Sequence, residues 1–163
     1  MHRSDVAVPG GTLNVVDEGE GPPILLLHAG VADLRAWDDV VPHLTRAGHR
    51  VIRYDIRGLG RSITEDVEFS HRADLRAVLH AAGVERAVLV GNSKGGQIAI
   101  DTAIESPERA VAVVGVAAGL GGFDGGMTPD RRFWARRQSR ARDYAITFDG
   151  MAGSERLPSR VSV

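Results

Sequence analysis

The sequence predicts an α/β protein with a mostly parallel sheet flanked by helices. Apolar residues come in short continuous runs, a pattern typical of strands whose two faces are both covered. Between these runs, apolar residues recur at the spacing of one helix face. Because strands that alternate with helices form parallel, right-handed βαβ units, four of the runs are expected to lie side by side in one sheet.

The composition is that of a globular chain and excludes several classes of protein. Of the 163 residues, 43% are hydrophobic and 25% are charged, which is ordinary for a soluble domain. No apolar run approaches the roughly 20 residues of a membrane span, and no secretory signal opens the chain. We therefore expect a cytoplasmic protein with no membrane partner. The absence of cysteine excludes disulfides, and a net charge of -1 gives no reason to expect nucleic acid as a partner.

Six strands are predicted. The first two, residues 4–8 and 12–17, are separated by a Pro-Gly-Gly segment and are expected to form a hairpin. The four parallel strands are expected at residues 24–27, 50–54, 87–90 and 111–116.

Three helices are predicted between the parallel strands. The first has apolar residues at helical spacing over residues 34–47. Pro42 costs this helix a hydrogen bond unless it lies in the first turn, so the regular part is expected to begin near Asp39. The other two helices are expected around residues 75–82 and 98–104, where a glycine and a proline, respectively, follow.

The strongest motif is the segment 91–95, Gly-Asn-Ser-Lys-Gly, which follows a predicted strand and precedes a predicted helix. G-x-S-x-G in this context predicts a nucleophile elbow. Small residues two before and two after Ser93 let the strand and the helix approach closely, while the serine is held in a strained conformation with its hydroxyl exposed. The alternative is a glycine-rich turn with an incidental serine.

A second motif, His28-Ala29-Gly30, directly follows the strand at 24–27. This loop can direct backbone N–H groups toward the serine, so the amides of Gly30 and Lys94 are candidates for a two-donor oxyanion hole. His28 is a weaker candidate for the catalytic base. We favour a structural role for it, in which the ring packs and forms hydrogen bonds that hold the loop.

A third motif, Asp-Ile-Arg-Gly-Leu-Gly-Arg-Ser at residues 55–62, predicts a tight, hydrogen-bonded loop with a structural role.

Together, H-A-G, D-x-R-G-x-G-x-S and G-N-S-K-G resemble the α/β-hydrolase superfamily in their order and spacing, over about residues 10–120. The branch they resemble contains small esterases, enol-lactonases, haloperoxidase-like enzymes and C–C hydrolases.

The resemblance implies an α/β-hydrolase-type fold with Ser93 as the nucleophile and the Gly30 and Lys94 amides as oxyanion donors. Haloalkane dehalogenases and epoxide hydrolases resemble the chain elsewhere but carry aspartate at the position of Ser93. The resemblance therefore implies acyl transfer on a small-molecule ester, lactone or similar acyl substrate. It implies no metal and no cofactor.

The chain departs from this family after the serine. The family order is serine, acid, histidine, but all six histidines precede Ser93. Asp124 is a weak candidate for the acid, and an ordinary turn aspartate is the favoured interpretation. We therefore expect an impaired serine hydrolase, with at most weak esterase activity that changes little when Ser93 is replaced. The alternative is a catalytically silent fragment that acts as a binding or oligomerising domain.

The chain is expected to have two regions. Residues 1–120 form the hydrolase-type core, and residues 121–163 form a partial cap-like helix followed by a disordered tail. The net charge changes at about the same place, from -5 over residues 1–127 to +4 over residues 128–163. We expect the sheet to stop before the last strands of the family fold, which would leave the strand at 111–116 on an edge that favours self-association.

Overall fold

Strands and helices alternate in the predicted order over residues 1–119, the part of the chain that the computed structural model describes. The strands are β1 (His2–Val8), β2 (Gly11–Glu18), β3 (Pro23–Leu27), β4 (Arg50–Tyr54), β5 (Ile63–Thr64), β6 (Ala87–Asn92) and β7 (Ala110–Val116). The helices are α1 (Val41–Arg46), α2 (His71–Ala81) and α3 (Lys94–Glu105). Short 3-10 turns lie at Leu34–Trp37 and Pro107–Arg109.

These strands form one seven-stranded sheet in the order β1-β2-β4-β3-β6-β7, with β5 paired to β2. β1 and β2 form the predicted antiparallel hairpin, and β2 is also antiparallel to β4. The four strands β4, β3, β6 and β7 are parallel to one another. The predicted α/β class, with a mostly parallel sheet flanked by helices, is confirmed.

The central strands are buried on both faces because their side chains alternate between two apolar clusters. On β3, Leu25 and Leu27 belong to the larger cluster, which includes residues of α2 and α3. Ile24 and Leu26 belong to the smaller cluster, with Val41 of α1. Burial of each such side chain contributes about 1.5–3 kcal/mol, so the alternation fixes which face of β3 meets which helix.

The first predicted helix is wrong as a single element. The segment 34–47 divides into a 3-10 turn and the six-residue α1, which begins at Val41, two residues after the expected start near Asp39. The carboxylate of Asp33 accepts a hydrogen bond from the Arg35 N–H and so caps the 3-10 turn separately. The proline lies in the first turn of α1, where its missing N–H costs nothing.

The predicted region 121–163, with its cap-like helix and tail, lies outside the described residues, and so does Asp124. The division into two regions stays a prediction. Within residues 1–119, β7 lies at one edge of the sheet and β1 at the other. No helix in this part of the chain is both long enough and apolar enough to cross a membrane.

Candidate active site

Three loops meet at the carboxyl edge of the central sheet. They follow β3, β4 and β6, which are adjacent and parallel, and the carboxyl ends of parallel strands are where α/β proteins place their sites. The loop after β3 carries His28 and Gly30, the loop after β4 carries Asp55, and the turn after β6 carries Ser93. The topology therefore brings the three sequence motifs together.

Ser93 occupies the strained turn that the sequence predicts. Its backbone has φ 51° and ψ -111°, a positive φ that non-glycine residues rarely adopt and that costs of order 1–3 kcal/mol. Its side chain is exposed, and its hydroxyl has no hydrogen-bond partner among residues 1–119. The Ser93 N–H donates to the carbonyl of Val116 at 2.9 Å, which ties the turn to the end of β7.

Glycines allow this turn to form by close packing. A Cβ on Gly91 would collide with the backbone of Gly95 and Gly96, so strand and helix touch at this point. A Cβ on Gly95 would collide with the carbonyl groups of Leu27 and His28, which places the start of α3 directly on the end of β3. The predicted need for small residues on both sides of the serine is therefore confirmed, and its cause is the backbone of neighbouring elements.

Gly30 and Lys94 are neighbours across the two loops. A Cβ on Gly30 would lie 3.2 Å from Cδ and 3.4 Å from Cβ of Lys94. Lys94 is half-buried and is the first residue of α3, where backbone N–H groups have no partner within the helix. The side chain of Lys94 thus contacts the loop that carries Gly30, and Lys94 directly follows Ser93 in the chain.

His28 is placed as the structural interpretation expects. It is 0% exposed, its Nε2 accepts a hydrogen bond from the Ile56 N–H at 2.9 Å, and its Nδ1 lies 2.7 Å from the carbonyl of Ala29. A nitrogen that accepts on one side leaves the other nitrogen to carry the proton and donate. Both ring nitrogens are engaged, so the ring joins the loops after β3 and β4, and this favours a structural role over that of a base.

Asp55 lies at the centre of a buried hydrogen-bond network. Its carboxylate accepts from the side chain of Asn14 and from the backbone N–H groups of Leu34 and Arg61, each at 2.8 Å. Its carbonyl accepts from the Ser62 hydroxyl at 2.6 Å. These bonds hold the loop after β4 to β2 and to the loop after β3, as the predicted structural role requires.

His71, at the start of α2, is a residue near the site that the sequence did not predict. Burial lowers its pKa to about 4, and the positive charge of Lys94 adds to the effect. Its Nδ1 is 4.0 Å from Oδ2 of Asp74, and Phe69 meets its ring edge-on at 5.0 Å. No spacing signal connects residues 71 and 94, because they become neighbours only through tertiary folding.

A cavity of about 210 Å³ lies beside this network, and its lining does not include Ser93. Its walls are formed by Arg3, Asn14, Asp33, Leu34, Arg35, Asp55, Gly60 and Arg61. Among residues 1–119, no three histidine or acidic side chains come together in a way that could hold a metal ion.

Comparison with known proteins identifies the family. The family model described as alpha/beta hydrolase fold matches residues 22–149. Epoxide hydrolase B of Mycobacterium tuberculosis is 33% identical over 136 residues, which cover 80% of this chain and 37% of that protein. A 2-hydroxy-6-oxononadienedioate/2-hydroxy-6-oxononatrienedioate hydrolase of Comamonas testosteroni is 33% identical over 104 residues, 60% of this chain and 36% of that protein.

A solved structure agrees with these matches. The structure of an N-acyl homoserine lactone degrading enzyme is 34% identical and superposes with a TM-score of 0.69, covering 78% of this chain and 49% of that one. The chain therefore spans between about a third and a half of the length of these relatives. The match of the family model over most of the chain, together with the sheet order and the turn at Ser93, shows that this chain belongs to the α/β-hydrolase fold family.

Proposed function

We propose that the chain carries the nucleophile and oxyanion parts of a serine hydrolase that acts on a carboxylic ester, a lactone or a similar acyl substrate. The observation that carries the proposal is the exposed Ser93 on a strained turn at the start of α3. Ser93 directly precedes Lys94, whose side chain contacts Gly30. A hydroxyl held above a helix N-terminus can attack a carbonyl carbon, and free N–H groups beside it can stabilise the oxyanion that forms.

The identity of the nucleophile distinguishes acyl transfer from the opening of an epoxide. Epoxide opening is the reaction that the name of one relative, epoxide hydrolase B, describes. A carboxylate that opens an epoxide forms an ester, which water can cleave to regenerate the enzyme. A serine hydroxyl that opened an epoxide would form an ether, which water does not cleave. Attack of Ser93 on an ester or lactone instead forms an acyl-enzyme ester that can turn over. The name of the lactone-degrading relative agrees with this chemistry.

No base that would take the serine proton is evident among the residues that the structure describes. No histidine follows Ser93, and His28 is buried with both nitrogens engaged. His71 has its pKa lowered to about 4, mainly by burial, which makes it a weak base at neutral pH. General-base assistance is worth roughly 10²–10⁴-fold, so we expect turnover to be weak and to differ little between the wild type and Ser93→Ala.

The proposal is tested by acylation, which does not require turnover. The chain is incubated with p-nitrophenyl butyrate at mildly alkaline pH, and intact-protein and peptide mass spectrometry locate the butyryl group. We expect an ester on Ser93 that hydroxylamine removes and that accumulates, because an alkyl ester has a poorer leaving group than the nitrophenyl ester. Ser4→Ala, which removes a serine of β1, is the matched control and should retain the adduct.

Three results decide the outcome. No adduct on Ser93, or only a hydroxylamine-resistant amide on Lys94, would contradict the proposed function. A fast steady-state rate that is abolished in Ser93→Ala would support the function but overturn the expectation of weak turnover, because a base must then act.

A silent domain that binds another protein copy is the second candidate function. It is favoured by β7, which is an edge strand within residues 1–119 and exposes Val111 and Val116. Self-association without an adduct on Ser93 would support this second candidate over the first.

A further inference from the structure

Lys94 is an unusual residue at an unfavourable position. It is the one lysine among 20 basic residues, and it is the first residue of α3. The N-terminus of a helix carries partial positive charge, so a cation there is destabilising where an acid would be stabilising. The first turn of α3 contains no acidic residue to offset this charge.

Among residues 1–119, no neighbour compensates the positive charge of Lys94. The ammonium has no ion pair or hydrogen bond within residues 1–119. Asp74 is committed to the Arg57 guanidinium at 2.7 Å, and His71 is neutral at physiological pH because its pKa is lowered to about 4. The side chain is half-buried against Gly30, so water screens the charge less than it would on a free surface.

We propose that the Lys94 ammonium selects acyl substrates that carry a carboxylate, so that the substrate class is monoesters or lactones of acidic compounds. This inference rests on the proposed function, since it assigns a substrate class to the same site. The substrate carboxylate would act as the counter-charge to the Lys94 ammonium and to the N-terminus of α3. It would accept a charge-assisted hydrogen bond from the ammonium. The ester carbonyl would remain beside Ser93 and Gly30.

A different role for the ammonium would give a different result. If Lys94 acted only on the oxyanion, its loss would affect neutral and anionic substrates alike. The decisive quantity is therefore the ratio of the affinities for an anionic ester and a neutral ester of the same length.

Binding can be measured without catalysis in a Ser93→Ala background. Dissociation constants for monomethyl adipate, which carries one carboxylate, and for dimethyl adipate, which carries none, are determined by NMR titration. The same measurements are made after Lys94→Met, which keeps the aliphatic stem, and after Lys94→Arg, which keeps the charge. Arg86→Met is the matched control, because Arg86 is exposed and precedes β6, whereas Lys94 follows it.

We expect Lys94→Met to reduce the preference for the monoester roughly five- to tenfold. Lys94→Arg should restore most of the preference, and Arg86→Met should leave it in place. A preference that is absent in the parent, unchanged by Lys94→Met, or equally reduced by Arg86→Met would overturn the inference. Binding is measured in the Ser93→Ala background, so the two proposals can fail separately. Acylation of Ser93 together with an unchanged preference in Lys94→Met would refute this inference alone. A reduced preference in Lys94→Met without acylation of Ser93 would refute the proposed function alone. Removing a cation from a helix N-terminus is not expected to impair folding, and the thermal melt of each variant verifies this.

Discussion

Arg57 and Asp74, which lies in the first turn of α2, form a buried charged pair. Two hydrogen bonds, of 2.7 Å and 2.9 Å, join the guanidinium to the carboxylate, and both side chains are almost wholly buried. Arg57 also donates to the carbonyls of Pro9 and Gly10 and lies over the ring of Phe69 at 4.8 Å. One guanidinium therefore connects α2, the hairpin turn and the loop after β4.

Replacing Asp74 by Asn should be strongly destabilising. The variant keeps the size of the side chain but leaves the Arg57 charge without a counter-charge in a buried place, so the free energy of unfolding should fall by about 3–5 kcal/mol. Urea unfolding measures this. Arg35→Ala is the control, since the Arg35–Asp33 pair is at the surface and its loss should change stability little. Equal effects of the two variants would contradict this account.

His71 and Asp101 have shifted pKa values that act on stability in opposite directions. Burial lowers the pKa of His71 from 6.5 to about 4. Between these two pH values the unfolded chain binds a proton at His71 and the folded chain does not, so the free energy of unfolding falls as the pH falls from about 6.5 to 4. Burial raises the pKa of Asp101 from 3.8 to about 6. As the pH falls through the same range, the folded chain therefore protonates Asp101 at a higher pH than the unfolded chain does, and the free energy of unfolding rises.

Single substitutions should separate these two effects. With solvent screening allowed for, each of the two pKa shifts changes the free energy of unfolding by roughly 1 kcal/mol between pH 7 and pH 5. His71→Gln should make the loss of stability on acidification shallower, whereas Asp101→Asn should make it steeper. Urea unfolding at pH 7, 6 and 5 tests both signs. Parallel pH profiles for the wild type and both variants would show that neither group titrates differently in the folded and unfolded chain.

At the scale of elements, α3 is positioned by glycine contacts and not only by its apolar face. Gly91, Gly95 and Gly96 lie where β6, β3 and α3 meet, and a side chain at each would collide with backbone or with Ala118. Because backbone atoms cannot move aside as a flexible side chain can, these contacts fix the height of Ser93 above the sheet.

Gly95→Ala should therefore displace α3 and lower the free energy of unfolding by about 1–3 kcal/mol. Its added methyl group would meet the carbonyls of Leu27 and His28. Gly119→Ala is the matched control, because a Cβ there meets no atom of the described residues within 4 Å, and it should be nearly neutral. Thermal or urea unfolding distinguishes them, and a neutral Gly95→Ala would mean that the close approach of α3 to β3 is not required.

The elements that the sequence predicted well are those whose signal is local. A run such as 24–27 is apolar at every position, so it could be assigned to a strand buried on both faces before any partner was known. The segment 34–47 was predicted as one helix because its apolar spacing continues across a 3-10 turn and the separate helix α1. β5 was not predicted, since its two residues pair with β2 and carry no periodicity.

The positions of the candidate site residues in the fold were predictable from the same local signals, whereas their roles stay predictions. Gly30, Ser93 and Lys94 lie in motifs at the ends of strands, and the contact between Gly30 and Lys94 follows from the parallel pairing of β3 and β6. His71 could not be placed, because its approach to Lys94 depends on how α2 packs and leaves no trace in the spacing of residues. The role of Asp124 stays a prediction, because that residue lies outside the described part of the chain.

At the scale of the whole molecule, the two edges of the described sheet differ in character. β1 carries His2, Arg3 and Asp5, all exposed, and charged side chains on an edge strand discourage pairing with other chains. β7 has the sequence Ala-Val-Ala-Val-Val-Gly-Val, which contains no charged residue. Within residues 1–119 it is therefore the edge at which another strand can add most easily.

We expect the 163-residue chain to self-associate through β7. Val111 is 54% exposed and Val116 is 49% exposed, so pairing of β7 with a second copy would satisfy free backbone groups and cover apolar surface together. Val111→Lys places a charge on this edge without entering the core, and it should lower the mass measured by light scattering. Val31→Lys is the matched control, because Val31 is 98% exposed in the loop after β3 and is not part of β7. A wild-type chain that is a monodisperse monomer with a sharp cooperative melt would show instead that another part of the chain covers β7.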